Sequence, residues 1–414
     1  MRDVVEIVAA QADDTVEALR ELVRTPSVTG DEAAAQEVMR RLMLESGLDV
    51  EVYAPTRADV VDHPSFSDDG LPLGNRAVVV GRTGPHGPTV VLNGHIDVVP
   101  AGDERRWRDD PWSAVVRDGA VWGRGSCDMK GGLAAGWAAL RAIAVTGRPL
   151  PIGVTFVSVI GEETGGVGTL SSILRGYRGD AAIVLEPTRG ELCPVGSGAL
   201  SFEVEVEGLA AHGAMRRHGM SAIDAARPVL DALRQLEHDR HARFSHPLYD
   251  AGALAAPISI GTLTAGDWLS TVPDRLVAGG RYGVLPGESI ADAQRVFEGA
   301  LAGVAATDPW LAAHPPRIRW VEGQFAPAET PTAAQVVAAI ADAHREVTAT
   351  AIGMHGVPYG SDLRFYVNDA DMPAVLYGPG DVVHAHAADE HVAITEVLRV
   401  AGVLATTLLR WRRT

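Results

Sequence analysis

The chain has 414 residues, 46% of them hydrophobic and 21% charged, with a formal net charge of −17. That length exceeds one ordinary hydrophobic core and sets an expectation of two domains. The acidic balance argues against nucleic acid as a partner, because a phosphate-gripping surface needs clustered Lys and Arg, and it argues equally against an anionic membrane surface.

In chain order, Asp13 or Asp14 is expected to cap a helix running to about Val23, with Val16, Leu19, Leu22 and Val23 on one face. Thr25-Pro26-Ser27 breaks it, and Asp31 is expected to cap a second helix that runs to about Ser46 and stops at Gly47. Short apolar runs follow at 77–80, 89–92, 154–160, 182–185 and 374–376. They show no alternation, as expected of strands buried on both faces. Helical stretches at 132–145 and 333–347 lie between some of them, the first interrupted by Arg141 and too short to span a bilayer. The fold class read from this order is α/β, a helix-covered mixed sheet.

Between about 197 and 322 the rhythm changes. Residues 201–206 alternate as a strand, and 221–236 carry helical periodicity; 258–263 and 275–282 read as strands, 289–304 as a helix and 317–321 as a strand. The order β-α-β-β-α-β is the ferredoxin-like pattern. The expected organisation is therefore a catalytic domain from 1–196 and 323–414, interrupted by a smaller α+β domain at 197–322. Cys127 and Cys193 form no CxxC and no disulfide framework, and the N-terminal segment has no apolar signal region. A reducing, cytoplasmic location is the expectation.

The chemistry gathers after the apolar runs. Val90-Val91-Leu92-Asn93-Gly94 leads to His95 and Asp97, and 156–161 leads to Glu162-Glu163. Ile183-Val184-Leu185 leads to Glu186, and Val375-Leu376-Tyr377-Gly378 leads towards His384 and His386. Ligands of α/β proteins collect at the carboxyl ends of strands, and chance would scatter such residues. Singly, each signal is weak: HxD and GEE are short, and paired glutamates are common at helix starts. Their ordered combination with the glycine-rich block 123–132 around Asp128 is specific.

On those motifs the chain resembles the zinc metallopeptidase family that includes acetylornithine deacetylase, succinyl-diaminopimelate desuccinylase, aminoacylase and glutamate carboxypeptidase. The resemblance runs from Leu22-Val23-Arg24-Thr25-Pro26-Ser27 through the blocks just quoted, Gly378-Pro379-Gly380-Asp381 and Ala385-His386-Ala387-Ala388-Asp389-Glu390. It implies two divalent metal ions per subunit, Zn2+ with Co2+ or Mn2+ as substitutes. Asp128 would bridge them, one ion also held by His95 and Glu186, the other by Glu163 and His386. Asp97 would accept a hydrogen bond from His95, and Glu162 would be the general base. His386 is preferred to His384 on the spacing to Asp389-Glu390.

The resemblance extends to the inserted domain, read as a lid that also forms a homodimer. There His212 would donate to the oxyanion from the partner subunit. Many relatives grip the substrate carboxylate with an Arg three residues before the Pro of a lid strand; here Gly283 holds that place, and Arg281 is the candidate substitute. Gly360-Ser361-Asp362 and Gly378 would line the substrate pocket, with Ser361 the candidate for a hydrogen bond. The implied reaction is hydrolysis of an N-acyl amino acid or related N-acyl amine, which Glu186 favours, since Asp there accompanies many dipeptidases. The alternatives are a dipeptidase or carboxypeptidase, or a catalytically silent relative that binds a ligand.

Overall fold

Among the described residues, the apolar runs become strands of one nine-stranded sheet. The computed structural model describes residues 4–321 and 323–411, so Glu322, the expected last residue of the inserted domain, lies outside the described residues. The main path of the sheet runs Asp49–Tyr53, Val78–Thr83, Gly153–Val159, Thr89–His95, Ala181–Val184, Ala374–Leu376, Leu192–Gly196, Ala328–Glu329. Thr89–His95 lies parallel to both Gly153–Val159 and Ala181–Val184, and Ala374–Leu376 lies parallel to Ala181–Val184. The pairs at the Asp49–Tyr53 side are antiparallel, which makes the sheet mixed. Every residue of Gly153–Val159 and Ala181–Val184 is buried. Strands covered on both faces need no polar side, which is why these runs show no period of two.

Helix Gly131–Thr146 lies against this sheet through small residues. Gly132 sits where a Cβ would collide with the Leu185 carbonyl, and Gly136 packs on Leu185 and Phe156. That close approach holds the helix directly over the strand leading to Glu186. Two cap expectations are corrected. Helix Ala12–Arg24 begins after Gln11 without a side-chain cap, and Asp13 and Asp14 fall in its first turn, where their charge suits the dipole. A further helix, Val4–Ala10, precedes it. Glu32, not Asp31, stands at the N-cap of Ala33–Glu45, and its buried carboxylate is taken by Arg76 at 2.7 Å.

The described chain divides into two compact units. One comprises Met1–Val195, Glu329–His355 and Ser361–Thr414, the other Gly196–Ala328 and Gly356–Gly360. The second unit extends past the expected 197–322 because Phe325 and Ala199 exchange backbone hydrogen bonds of 2.7 and 2.8 Å. Its sheet is antiparallel throughout, in the order Ile258–Ala265, Arg275–Val284, Gly198–Glu207, Arg317–Trp320. Helices Ala222–Arg243 and Ile290–Thr307 supply the remaining elements of the β-α-β-β-α-β order.

Leu200, Phe202, Val204 and Val206 alternate inward from Gly198–Glu207 and meet Val229, Leu233, Phe297 and Leu301 of the helices. The Phe297 ring lies 4.7 Å from Phe202 and 5.0 Å from Tyr282. Each such fully buried side chain stabilises the unit by about 1.5–3 kcal/mol. Among the described residues no helix is long and apolar enough to cross a membrane.

Candidate metal centre

The parallel strands deliver their side chains to one end of the first unit. Thr89–His95 terminates on His95; Gly153–Val159 continues to Glu162 and Glu163; Ala181–Val184 continues to Glu186. Asp128 comes from the turn Ser126–Lys130, and His386 from the segment after Ala374–Leu376. His95 Nε2 is 3.1 Å from Asp128 Oδ1 and 4.0 Å from Glu186 Oε1. His386 Nε2 is 3.5 Å from Asp128 Oδ2 and 3.2 Å from Glu163 Oε2. Asp128 thus turns one oxygen towards each imidazole. Donor atoms of His95, Glu162 and Glu186 lie within 4.8 Å of one another, as do those of His95, Asp128 and Glu163.

These are two adjoining metal-ligand clusters that share a histidine. Their donors are imidazole nitrogen and carboxylate oxygen with no thiolate, since Cys127 Sγ donates instead to the Asp381 carbonyl at 3.2 Å. Burial drives Glu162 and Glu186 well above the usual carboxylate range, opposed by His95 and reinforced by neighbouring carboxylates. Glu163 is raised by burial as well, against the pull of His386. Burial opposes the imidazolium of His386, yet Asp128 and Glu163 outweigh it and hold its pKa at about 11. Buried carboxylates crowded in this way are costly unless positive charge is supplied among them. The donor set therefore fits divalent cations of the zinc type.

Asp97 is fully buried, and the contacts of its carboxylate differ from the expected hydrogen bond with His95. His95 Nδ1 lies 2.8 Å from the backbone carbonyl of Asp97 and 3.8 Å from its carboxylate. The carboxylate instead accepts the backbone N–H groups of Glu162 and Glu163, each at 3.2 Å, and the Thr29 hydroxyl at 3.0 Å. The geometric reason is local: with a single residue between His95 and Asp97, the imidazole reaches the nearer main-chain oxygen. The side chain is left free to tie two strand ends together.

The other expected residues fall in different places. Ser361 is buried in the first unit, where its Oγ accepts the Leu363 N–H at 3.3 Å. Gly378 is also buried there, and a Cβ on it would collide with the Leu185 and Glu186 carbonyls, so it sets the strand end that carries Glu186. Arg281 belongs to the second unit, where its Nη2 donates to the Pro358 carbonyl at 2.8 Å. At Gly283 the backbone of Ala256 lies where a side chain would begin, so no longer residue fits that position. His212, exposed on the second unit, accepts the Ala214 N–H through Nδ1 at 3.1 Å.

Sequence reading missed several buried groups that brace the centre. Arg76 pairs with Glu32 at 2.7 Å and with Asp69 at 3.2 Å, and Asp69 accepts the Thr164 hydroxyl at 2.8 Å. Arg364 Nη2 donates to the Gly165 carbonyl at 2.7 Å. Both contacts grip the turn immediately after Glu163. Asp362, fully buried and bonded by Thr169, is pushed up to about 6 by burial, with Arg364 opposing. Glu390 accepts from the backbone of Cys127 and Asp128. Glu390 stands in the Ala385–Glu390 motif and Asp362 in the Gly360-Ser361-Asp362 segment expected to line the pocket; Arg76, Glu32, Asp69 and Arg364 are single charged residues with no local signature.

A family model described as "Peptidase family M20/M25/M40" matches residues 91–410. The N-formyl-4-amino-5-aminomethyl-2-methylpyrimidine deformylase of Halalkalibacterium halodurans is 28% identical, over 99% of this chain and 97% of its own. The protein of the same name from Bacillus subtilis is 27% identical, over 78% and 79%. Among solved structures, the di-peptidase Dug1p from Saccharomyces cerevisiae matches with a TM-score of 0.78 at 15% identity, covering 99% of this chain and 98% of the other. Human carnosine dipeptidase 1 matches with a TM-score of 0.76 at 17% identity, covering 98% of each. The metallo-carboxypeptidase Sso-CP2 from Sulfolobus solfataricus gives 0.73 at 17%, covering 96% and 99%. At these identities the structural likeness speaks for the fold.

Proposed function

We propose, from the premise that this chain belongs to the peptidase family M20/M25/M40, that its centre hydrolyses the amide bond of a small peptide-like or acylated substrate. The protein is a metal-dependent hydrolase. The observation that carries the reading is the pair of adjoining ligand clusters meeting at His95, with Glu162 inside one of them. His95, Asp128 and Glu186 would hold one ion, and Asp128, Glu163 and His386 the other. Divalent ions bound there supply polarisation of the scissile carbonyl and a water acidic enough to lose its proton near neutral pH.

The chain's own residues do the rest. The His95 Nδ1–H directed at the Asp97 carbonyl leaves Nε2 free to face the centre. The raised carboxyl of Glu162 suits a group that takes a proton from water and returns it to the departing amine. Asp97 holds the backbone from which Glu162 and Glu163 project.

For the substrate, a dipeptidase or carboxypeptidase reading stands ahead of the N-acyl amino acid reading, because the solved structures that share the fold carry peptidase names. Of the two, Glu186 leans towards a carboxypeptidase. A second reading, removal of a formyl or other acyl group from an amine, is favoured by the names of the curated relatives and by Gly283. A longer side chain at Gly283 would meet the Ala256 backbone, and Arg281 Nη2 donates to the Pro358 carbonyl, which supports a substrate without the carboxylate that many relatives grip. Zn2+ is the proposed metal and a cytoplasmic location is proposed. A homodimer is proposed through the second unit, whose edge strand Ile258–Ala265 exposes Ile260 and Leu263. In that dimer His212 would act as oxyanion donor from the partner.

The test is a panel of dipeptides, carboxy-terminal peptides, N-acyl amino acids and formyl amines, run on Zn2+-reconstituted protein. Cleavage of one class assigns the substrate. Protein that carries two ions and cleaves none of them supports the catalytically silent alternative and removes this proposal.

A further inference from the structure

We propose that Glu390 is a positioning residue that locks the Asp128 turn to the His386 segment and so sets the affinity for the ion on the Glu163–His386 side. The inference rests on the reading of Asp128 and His386 as metal ligands. Glu390 is 1% exposed. Its Oε1 accepts the backbone N–H of Cys127 at 2.9 Å and of Asp128 at 3.0 Å. Its Oε2 accepts from Arg124 Nη1 at 2.5 Å, and its own carbonyl accepts the Gly123 N–H at 2.8 Å. One residue therefore holds the turn 123–128 at four points. The same bracket continues on both sides: Cys127 Sγ reaches the Asp381 carbonyl, and the Arg124 guanidinium lies 5.1 Å from the Trp107 ring.

His386 lies four residues before Glu390, and both His386 and Asp389 have positive φ, at 58° and 59°. The chain between them is a tight turn whose far end is Glu390. Fixing Glu390 against the Asp128 backbone fixes the distance between two ligands that are distant in sequence. A buried Arg–Glu pair is weak evidence for stability, since an apolar pair of similar size often serves as well. What an apolar pair lacks is an acceptor for two adjacent N–H groups, one of them belonging to the bridging ligand itself. Partners that orient metal ligands in this way alter metal affinity by roughly 10–100-fold when removed.

Two double variants with the same charge separate this role from that of a structural brace. Arg124→Met with Glu390→Gln keeps an acceptor oxygen; Arg124→Met with Glu390→Met removes it. Both are titrated with Co2+ against a chelator, following the visible absorption of the bound ion, with circular dichroism and Tm as the measure of folding. The first double should bind two ions much as wild type does. The second should remain folded yet bind one of the two ions roughly 10–100-fold more weakly, with an altered Co2+ spectrum. Equal affinities and spectra in the two doubles would overturn the inference, whatever their Tm values. Wild-type protein that takes up fewer than two ions sinks the metal reading beneath it; a loss confined to the variant without the acceptor cannot arise that way.

Discussion

Replacing Asp97 by Asn tests how the centre is organised, because the change keeps the shape and removes one acceptor oxygen. In the native protein the carboxylate receives two backbone N–H groups at 3.2 Å, one from Glu162 and one from Glu163. An asparagine offers one carbonyl oxygen and turns its NH2 towards the other N–H. One charge-assisted hydrogen bond, worth about 1.5–3 kcal/mol, is lost. The bonds are long, so the lower half of that range applies. At about 1.4 kcal/mol per decade, kcat should fall roughly 10- to 50-fold.

His95 rests on the Asp97 main-chain carbonyl at 2.8 Å, which the substitution leaves in place. The ion held by His95, Asp128 and Glu186, counted by elemental analysis after dialysis, should therefore be retained while kcat drops, and any loss of metal should fall on the ion held by Glu163. Were the carboxylate the group that orients His95, both ions would be lost together. Loss of both ions, or an unchanged kcat, would refute the reasoning.

The other predictions probe separate parts of the molecule. Glu162→Gln should reduce kcat by at least about 100-fold, the ordinary contribution of a positioned acid–base group, with metal content retained; loss of both ions would assign Glu162 as a ligand instead. His212→Ala should slow turnover by roughly 100-fold or more if the side chain donates to the oxyanion. Mixing it with Glu162→Gln subunits should restore activity if the site is shared between copies, and the absence of rescue excludes sharing. Lys130, fully buried between the Leu22 and Thr25 carbonyls at 2.8 and 2.9 Å, is lowered by burial to about 7. From there up to the ordinary lysine value near 10.4, the unfolded chain binds a proton that the folded one does not. Stability should rise with pH across that window by up to roughly 1.4 kcal/mol per unit and fall as pH drops towards 7. Lys130→Met should remove that component, read as a flatter dependence of the urea midpoint between pH 7.5 and 9.5; identical slopes would contradict it.

The parts of the molecule that were legible are those in which burial writes a pattern along the chain. Gly153–Val159 and Ala181–Val184 read as strands because both of their faces are covered, and Gly198–Glu207 read as a strand because only one is. The approach to His95, Glu162 and Glu186 was legible for the same reason, since each follows such a run. Asp13, Asp14 and Asp31 were misplaced because several acidic residues near a helix start look alike, and only the fold decides that Glu32 turns inward to Arg76.

What was illegible acts across the chain. The Asp97 carboxylate, Arg364 on Gly165 and the Glu390 carboxylate on the Asp128 turn each hold main-chain atoms 65 to 263 positions away. A backbone N–H or carbonyl has no letter in the sequence, so the receiving half of each contact leaves no trace there. Ligand side chains can be read from their types and order. Their supports can be found only by asking where each buried charge goes, and here the charges at Asp97, Arg364 and Glu390 go to the main chain of the turns that carry the candidate ligands.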